Sequence, residues 1–233
     1  MLVLAVDTAT PAVTAGLVEL EQAASDAVTA AELRTVASRV RVDARAHAEV
    51  LTPQILECLS EAGRSRTDIA AVVAGVGPGP FTGLRVGMAT AAAFGDALGI
   101  PVYGVCSLDA IASDAFAQGD FAADGELLVV TDARRREVYW ARYRAGVRVA
   151  GPDVVKPAAL DHGSATAIAG SASHVDLFDL PVLPVETPSP AGLVRVAAAE
   201  LLARAVPEPL VPLYLRRPDA VENAYRTLDR TGA

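Results

Sequence analysis

Positive charge is scarce in this chain of 233 residues, with 20 Lys and Arg against 28 Asp and Glu, a formal net charge of −8. Stand-alone binding of nucleic acid draws most of its affinity from neutralised phosphates and shows as a basic face. Here the dense basic clusters are Arg134-Arg135-Arg136 and Arg216-Arg217, so tight RNA or DNA binding by the chain alone is not expected. Only two cysteines occur, Cys58 and Cys106, which excludes a disulfide framework and fits a reducing, cytoplasmic setting. No run approaches the roughly 18 unbroken apolar residues of a membrane span. The nearest, Val86 to Leu98, is short and carries Asp96. Met1 to Val6 enters a strand without a charged leader, so no signal peptide is expected. The three histidines, His47, His162 and His174, lie far apart, and four residues after His47 stands Leu51. A helical metal pair needs His at i and i+4, so no metal site is expected.

What the chain does have is Gly77-Pro-Gly-Pro-Phe-Thr-Gly-Leu-Arg85, between the apolar run Ala71–Val76 and a helix with almost no polar face. Gly opens backbone conformations closed to other residues, and Pro fixes φ and withholds an amide. The expected result is a rigid strand-to-helix elbow with Thr82 as helix cap. It lacks the Gly-Lys-Ser/Thr of a P-loop, because Leu84 and Arg85 follow Gly83. The elbow is therefore an anion cradle or a surface shaped for a partner.

Strands are expected at Leu2–Val6, Ala12–Leu20 and Glu32–Val42, a meander with a polar connection from Glu21 to Ala31. A helix follows from about Ala46 to Ala62, its apolar stripe formed by Leu51, Ile55, Cys58 and Ala62. Thr52-Pro53 either starts that helix or bends a longer one. After the elbow, Thr82–Leu98 is helical, Pro101–Val105 is a strand, and Ser107 caps a helix to about Gln118. Further strands are read at Ala165–Ala169 and Leu180–Val185. Ser189-Pro190 caps a helix through Ala205, and an extended apolar segment follows from Pro207.

The two halves are similar to each other. Leu128-Val-Val-Thr-Asp132 matches Val3-Leu-Ala-Val-Asp7, and Val138–Arg142 matches Val13–Leu17 at the same offset of 125, without a gap. This suggests duplicated lobes. Hairpins with Asp at the first strand end resemble the phosphate-binding hairpins of the actin, sugar-kinase and heat-shock-chaperone superfamily. Asp7, Thr8 and Asp132 are thus candidate nucleotide-binding residues, though neither turn carries the Gly that lets backbone approach phosphate.

Asp7-Thr-Ala-Thr10, His47-Ala-Glu49, the Gly77–Arg85 elbow, Asp132-Ala-Arg-Arg-Arg-Glu-Val-Tyr-Trp140 and Pro212-Leu-Tyr-Leu-Arg216 occur in that order. Together they resemble the bacterial TsaB family of tRNA threonylcarbamoyladenosine biosynthesis, across essentially the whole chain. The resemblance implies an α/β, two-lobed actin-like ATPase (ribonuclease H-like) fold, with lobes at 1–106 and 107–216 and a flexible tail at 217–233. It implies a non-catalytic dimerisation subunit in the formation of threonylcarbamoyladenosine at position 37 of tRNA, with no catalytic residue, metal or required cofactor. Its implied partners are a TsaD-like catalytic subunit, a TsaE-like ATPase and, through the complex, tRNA; a homodimer is expected when it is alone. The expected partner surface comprises His47, Val50, Leu51, Ile55, Val86, Thr90 and Ala93 on the two N-terminal helices. The alternative is an ATP-dependent kinase or ATPase of the same fold, with Asp7 and Asp132 on a metal.

Overall fold

The computed structural model describes residues 1–22, 31–43, 46–119 and 124–216. The expected tail at 217–233 and most of the connection from Glu21 to Ala31 lie outside the described residues.

The apolar runs form two sheets. In the first, β1 (Leu2–Asp7) pairs antiparallel with β2 (Ala12–Gln22), which pairs with β3 (Ala31–Val42). On its other side β1 runs parallel to β4 (Ile69–Gly75), and β4 to β5 (Val102–Val105). The order is β3-β2-β1-β4-β5. The second sheet repeats the plan with β6 (Glu126–Asp132), β7 (Val138–Arg144), β8 (Val147–Val155) and β9 (Ala165–Gly170), in the order β8-β7-β6-β9. Its β6–β7 and β7–β8 pairs are antiparallel, and β6–β9 is parallel. Two meanders, each joined to a parallel strand, make the duplicated, two-lobed actin-like architecture.

The duplication is not gapless. Asp7 pairs with Thr14, whereas Asp132 pairs with Val138, so the second turn is one residue shorter than the first. The structural counterpart of Val138 is Thr14, not Val13. A slip of one residue flips every side chain to the other face, so the ungapped sequence match misplaces the return strand.

Helix α1 (His47–Glu61) is continuous, with Pro53 inside it, and starts at Ala46 rather than at Thr52. Helix α2 (Phe81–Leu98) lies beside it, and both pack on one face of the first sheet. Leu51 and Ile55 sit in that core with Leu4, Val6 and Val72. Helix α3 (Ser107–Ala117) packs mainly in the core of the second sheet, through Leu108, Ile111, Ala112 and Ala115. Helix α4 (Ala172–Val175) is a single turn.

Helix α5 (Pro190–Ala203) departs from the expected division. Its Leu193, Val194, Ala197 and Leu201 pack with Val3, Ala5, Val18 and Val73 on the back of the first sheet. Both faces of that sheet are apolar, because its inner strands are buried throughout, and α5 covers the face that α1 and α2 leave open. The helix starts as expected, with Ser189 accepting from the Gly192 N–H at 2.9 Å and Pro190 in the first position. Asp114 of α3 anchors this start by accepting from the Ser189 N–H (2.9 Å) and hydroxyl (2.8 Å).

The expected strand Leu180–Val185 reduces to one bridge, Ile168 with Val182, because Pro181 and Pro184 withhold amides from the ladder. The segment after α5 is extended, as expected, and crosses both lobes. Leu210 and Leu213 pack on Ala9, Val76, Leu84 and Met88, and the Leu213 N–H donates to the Val76 carbonyl at 2.8 Å. Arg216 then donates to the Ala133 carbonyl at 2.7 Å.

Candidate functional site

The elbow decides what kind of site this can be. The peptide between Gly77 and Pro78 is cis, and Pro80 holds an extended conformation (φ −61°, ψ 134°) immediately before α2. Pro80, not Thr82, is therefore the cap residue, and no side chain caps the helix. Thr82 lies exposed inside the first turn.

The first β-hairpin turn fills the hollow of the elbow. The Thr8 hydroxyl donates to the Gly83 carbonyl (2.6 Å) and accepts from the Gly87 N–H (3.0 Å), so it bridges two groups of α2. A Cβ on Gly87 would lie 2.4 Å from Thr8 Oγ1, and one on Gly79 only 2.1 Å from the Ala9 carbonyl oxygen. The glycines of the elbow are thus spacing for the chain's own turn. Where an open cradle would receive an anion, Thr8 and Ala9 already stand.

Asp7 is fully buried at the end of β1. Its Oδ1 accepts from the Ala9 N–H (2.9 Å) and its Oδ2 from the Ser107 hydroxyl. Ser107 is therefore an Asp7 partner, while the cap of α3 is Cys106. Burial pushes the Asp7 carboxyl up to about 6, against the opposing pull of the Ser107 and Ala9 hydrogen bonds and of His47. The folded state thus holds this proton more tightly than the unfolded chain, whose value is 3.8. The stabilisation is complete below 3.8 and is lost as pH rises through 6. Asn fits the same contacts, its carbonyl taking the Ala9 N–H and its amide donating to Ser107. Asp7→Asn should therefore gain stability relative to the native chain between pH 4 and 7.5, by up to about 3 kcal/mol. Urea denaturation at both pH values checks this; a difference independent of pH would refute it.

His47 is buried, and its Nε2 lies 3.1 Å from the Thr10 carbonyl oxygen. A carbonyl only accepts, so Nε2 carries the proton and pins the turn to the start of α1. Asp132, the counterpart of Asp7, is set differently. It is half-buried, accepts from the Arg134 N–H (2.7 Å), and lies 3.6 Å from both the Arg134 guanidinium and His174 Nε2. Thr10, Pro11, Thr131, Ser171, Ser173 and Glu186 line a cavity of about 230 Å³ between the lobes. Among the described residues, no group of three or more His, Cys, Asp or Glu could hold a metal ion.

Of the expected partner residues, Leu51 and Ile55 are wholly inside the core and His47 is buried under the turn. Val50, Val86 and Thr90 are half-buried, and Ala93 is exposed. The outer face of α2 carries Arg85, Ala89, Ala92 and Asp96, spaced four, three and four residues apart, with Ala93 alongside. That heptad-like spacing was the available signal for residues the sequence reading passed over. Phe81, 41% exposed, stacks on Tyr214 (centroids 5.1 Å apart), with Arg85 3.7 Å from the Phe81 ring centroid and donating to the Tyr214 hydroxyl at 2.9 Å.

Residues 41–211 match the family described as TsaD: tRNA N6-adenosine threonylcarbamoyltransferase. The chain belongs to this family. Within it the chain is TsaB/YeaZ-like. An uncharacterized protein of Mycobacterium tuberculosis is 56% identical over 218 residues, 94% of this chain and 93% of that protein. The tRNA threonylcarbamoyladenosine biosynthesis protein TsaB of Escherichia coli is 36% identical over 112 residues, 47% of this chain and 46% of that protein. The structure of YeaZ from Pseudomonas aeruginosa superposes with a TM-score of 0.72 at 25% identity, covering 92% of this chain and 99% of that one. The family match includes the elbow and α2, the helix that Thr8 holds through Gly83 and Gly87.

Proposed function

We propose that this chain is a non-catalytic accessory subunit of the machinery that forms N6-threonylcarbamoyladenosine at position 37 of tRNA. It pairs through α1 and α2 with a TsaD-like catalytic subunit and works with a TsaE-like ATPase in the cytoplasm, reaching tRNA through the complex. When alone, it pairs with a second copy through the same face. The role asks for no catalytic residue, metal or nucleotide on this chain.

The observation that carries this reading is the closed elbow. Asp7 and His47, the residues that a nucleotide or metal site would recruit, are spent on the Ala9, Ser107 and Thr10 contacts. Meanwhile α2 turns Arg85, Ala89, Ala92, Ala93 and Asp96 outward. Small side chains let a partner helix approach closely, and the two charges fix its direction.

Reconstitution of the TsaD-like and TsaE-like proteins on tRNA, with and without this chain, tests the proposal by mass analysis of nucleosides. Modified adenosine should fall to background without this chain, and the chain alone should form none. Modification by the isolated chain, or full modification in its absence, would overturn the proposal.

A further inference from the structure

The second hairpin turn carries an anomaly that the accessory role leaves unexplained. Arg134, Arg135 and Arg136 stand consecutively at φ 63°, 51° and 62°, in the left-handed region. That region suits Gly and Asn, and L residues with long side chains enter it only when their surroundings compel them. Here the compulsion is visible. The Arg134 N–H is held by Asp132, Ala133 donates to the Glu137 carbonyl (3.1 Å), and Glu137 donates to the Arg134 carbonyl (2.9 Å). The matching turn in the first lobe has no residue with positive φ. A sequence that puts arginine where glycine would fit without strain gains something from the side chains, because backbone strain collects where function requires it.

The place is also unlike its counterpart. The first turn is buried under the elbow and α2, whereas the helix after β9 is the single turn α4, and Arg134 to Arg136 are all exposed. Arg216 joins them from the crossing segment, 3.5 Å from Glu137. Arg134 lies against Asp132 and Arg216 against Glu137, so four arginines gather at one turn of a chain whose overall charge is −8. The flanking apolar residues Ala133, Val138 and Tyr139 are buried, so the turn offers charge without the apolar centre of a protein–protein contact. Guanidinium forks on an exposed turn match the oxygens of a phosphate backbone.

We infer that the Arg134–Arg136 turn is a contact for the phosphate backbone of RNA, contributed by this subunit to the assembly. Which RNA is meant, namely tRNA, rests on the function proposed above. The contact is weak by itself and adds to whatever grip the partner provides. It is read through charge alone and carries no base specificity.

The test is a titration of the complex between this chain and its TsaD-like partner with tRNA, followed by fluorescence anisotropy over a range of salt. Relative to the native complex, the R134A/R135A/R136A complex should bind about tenfold more weakly near 0.1 M salt. Its slope of log affinity against log salt should be shallower by about two, with the partner still co-purifying. Unchanged affinity and slope would overturn the inference. So would loss of the partner from the triple variant, which would assign the turn to an acidic protein surface. Should the native chain form no complex with a TsaD-like protein, the pairing reading fails, and the same comparison on the isolated chains decides the RNA contact separately. Arg136→Gly provides a check on folding. It should raise the melting temperature by roughly 2–4 °C while weakening RNA binding, and a fall in melting temperature would overturn the argument from strain.

Discussion

Ala93→Arg should abolish co-purification with the TsaD-like subunit and leave the fold of this chain intact. Ala93 is exposed on α2, next to the face formed by Arg85, Ala89, Ala92 and Asp96, so a long cation there disturbs nothing within the monomer. In a close helix pair, however, it must displace the partner backbone or be buried without a counter-charge. Either outcome weakens pairing by at least about 3 kcal/mol, a loss of more than roughly 100-fold in affinity. Val147→Arg provides the control, because Val147 is exposed on β8 in the second lobe. It should pair normally. Leu51→Arg, which the sequence alone would recommend, tests nothing about pairing, since Leu51 is buried with Leu4 and Val6. Size-exclusion chromatography of mixed subunits, with circular dichroism of each variant, reads the result. Undiminished complex formation by Ala93→Arg would remove α2 from the interface.

Gly79→Ala should cost more than about 3 kcal/mol of stability, an unusually large effect for one added methyl group. Its Cβ would lie 2.1 Å from the Ala9 carbonyl oxygen and 2.8 Å from the Ala9 carbon, both backbone atoms that cannot rotate away. Gly87→Ala is the informative companion. There the obstruction is the Thr8 hydroxyl at 2.4 Å, with the rest of the Thr8 side chain at 3.5 Å or beyond. Thr8→Ala removes that obstruction together with its bonds to Gly83 and Gly87. The double variant Thr8→Ala/Gly87→Ala should therefore be less destabilised than the sum of the single changes, by about 1 kcal/mol or more. Urea unfolding of the four proteins measures the coupling; strict additivity would show that Thr8 does not dock α2.

Much of the fold was legible because buried strands leave continuous apolar runs. Val3-Leu-Ala-Val-Asp7 and Leu128-Val-Val-Thr-Asp132 announced β1 and β6 and, with them, the duplicated lobes. Offsets were less legible. The second turn is shorter by one residue, yet Val138-Tyr-Trp-Ala-Arg142 still aligns acceptably one step out of place, because the strand it is matched to, β2, is buried on both faces over Val13–Leu17 and has little alternation to fix its phase. The strand β8 leaves little trace in the sequence. It is an edge strand with Gly151, Pro152 and exposed Val147 and Val149, and so lacks an apolar run.

Long-range packing was the other gap. Nothing local in Leu193, Val194 and Ala197 says that they complete the first sheet rather than the second. At the candidate site, the sequence singled out Asp7, Thr8, His47 and the elbow but could not reveal that they consume one another. Thr82 looked like a cap by residue type, but Pro80 starts the helix earlier. The stripe of Leu51 and Ile55 marks a buried face, and within this chain it packs on the first sheet; periodicity reports that a face is covered and not by what. Arg134 to Arg136 gave no hint of their conformation, arginine being an uncommon occupant of left-handed backbone.

The segment from Leu210 to Arg216 is synthesised after every other described element, and it touches both ends of the architecture. Until it emerges from the ribosome, Ala9, Val76, Leu84 and Met88 lack their cover, and the Ala133 carbonyl lacks its donor. Leu213 and Arg216 thereby tie the first hairpin turn and the elbow to the turn of the second hairpin, and a chain without them would leave the seam between the two sheets uncovered.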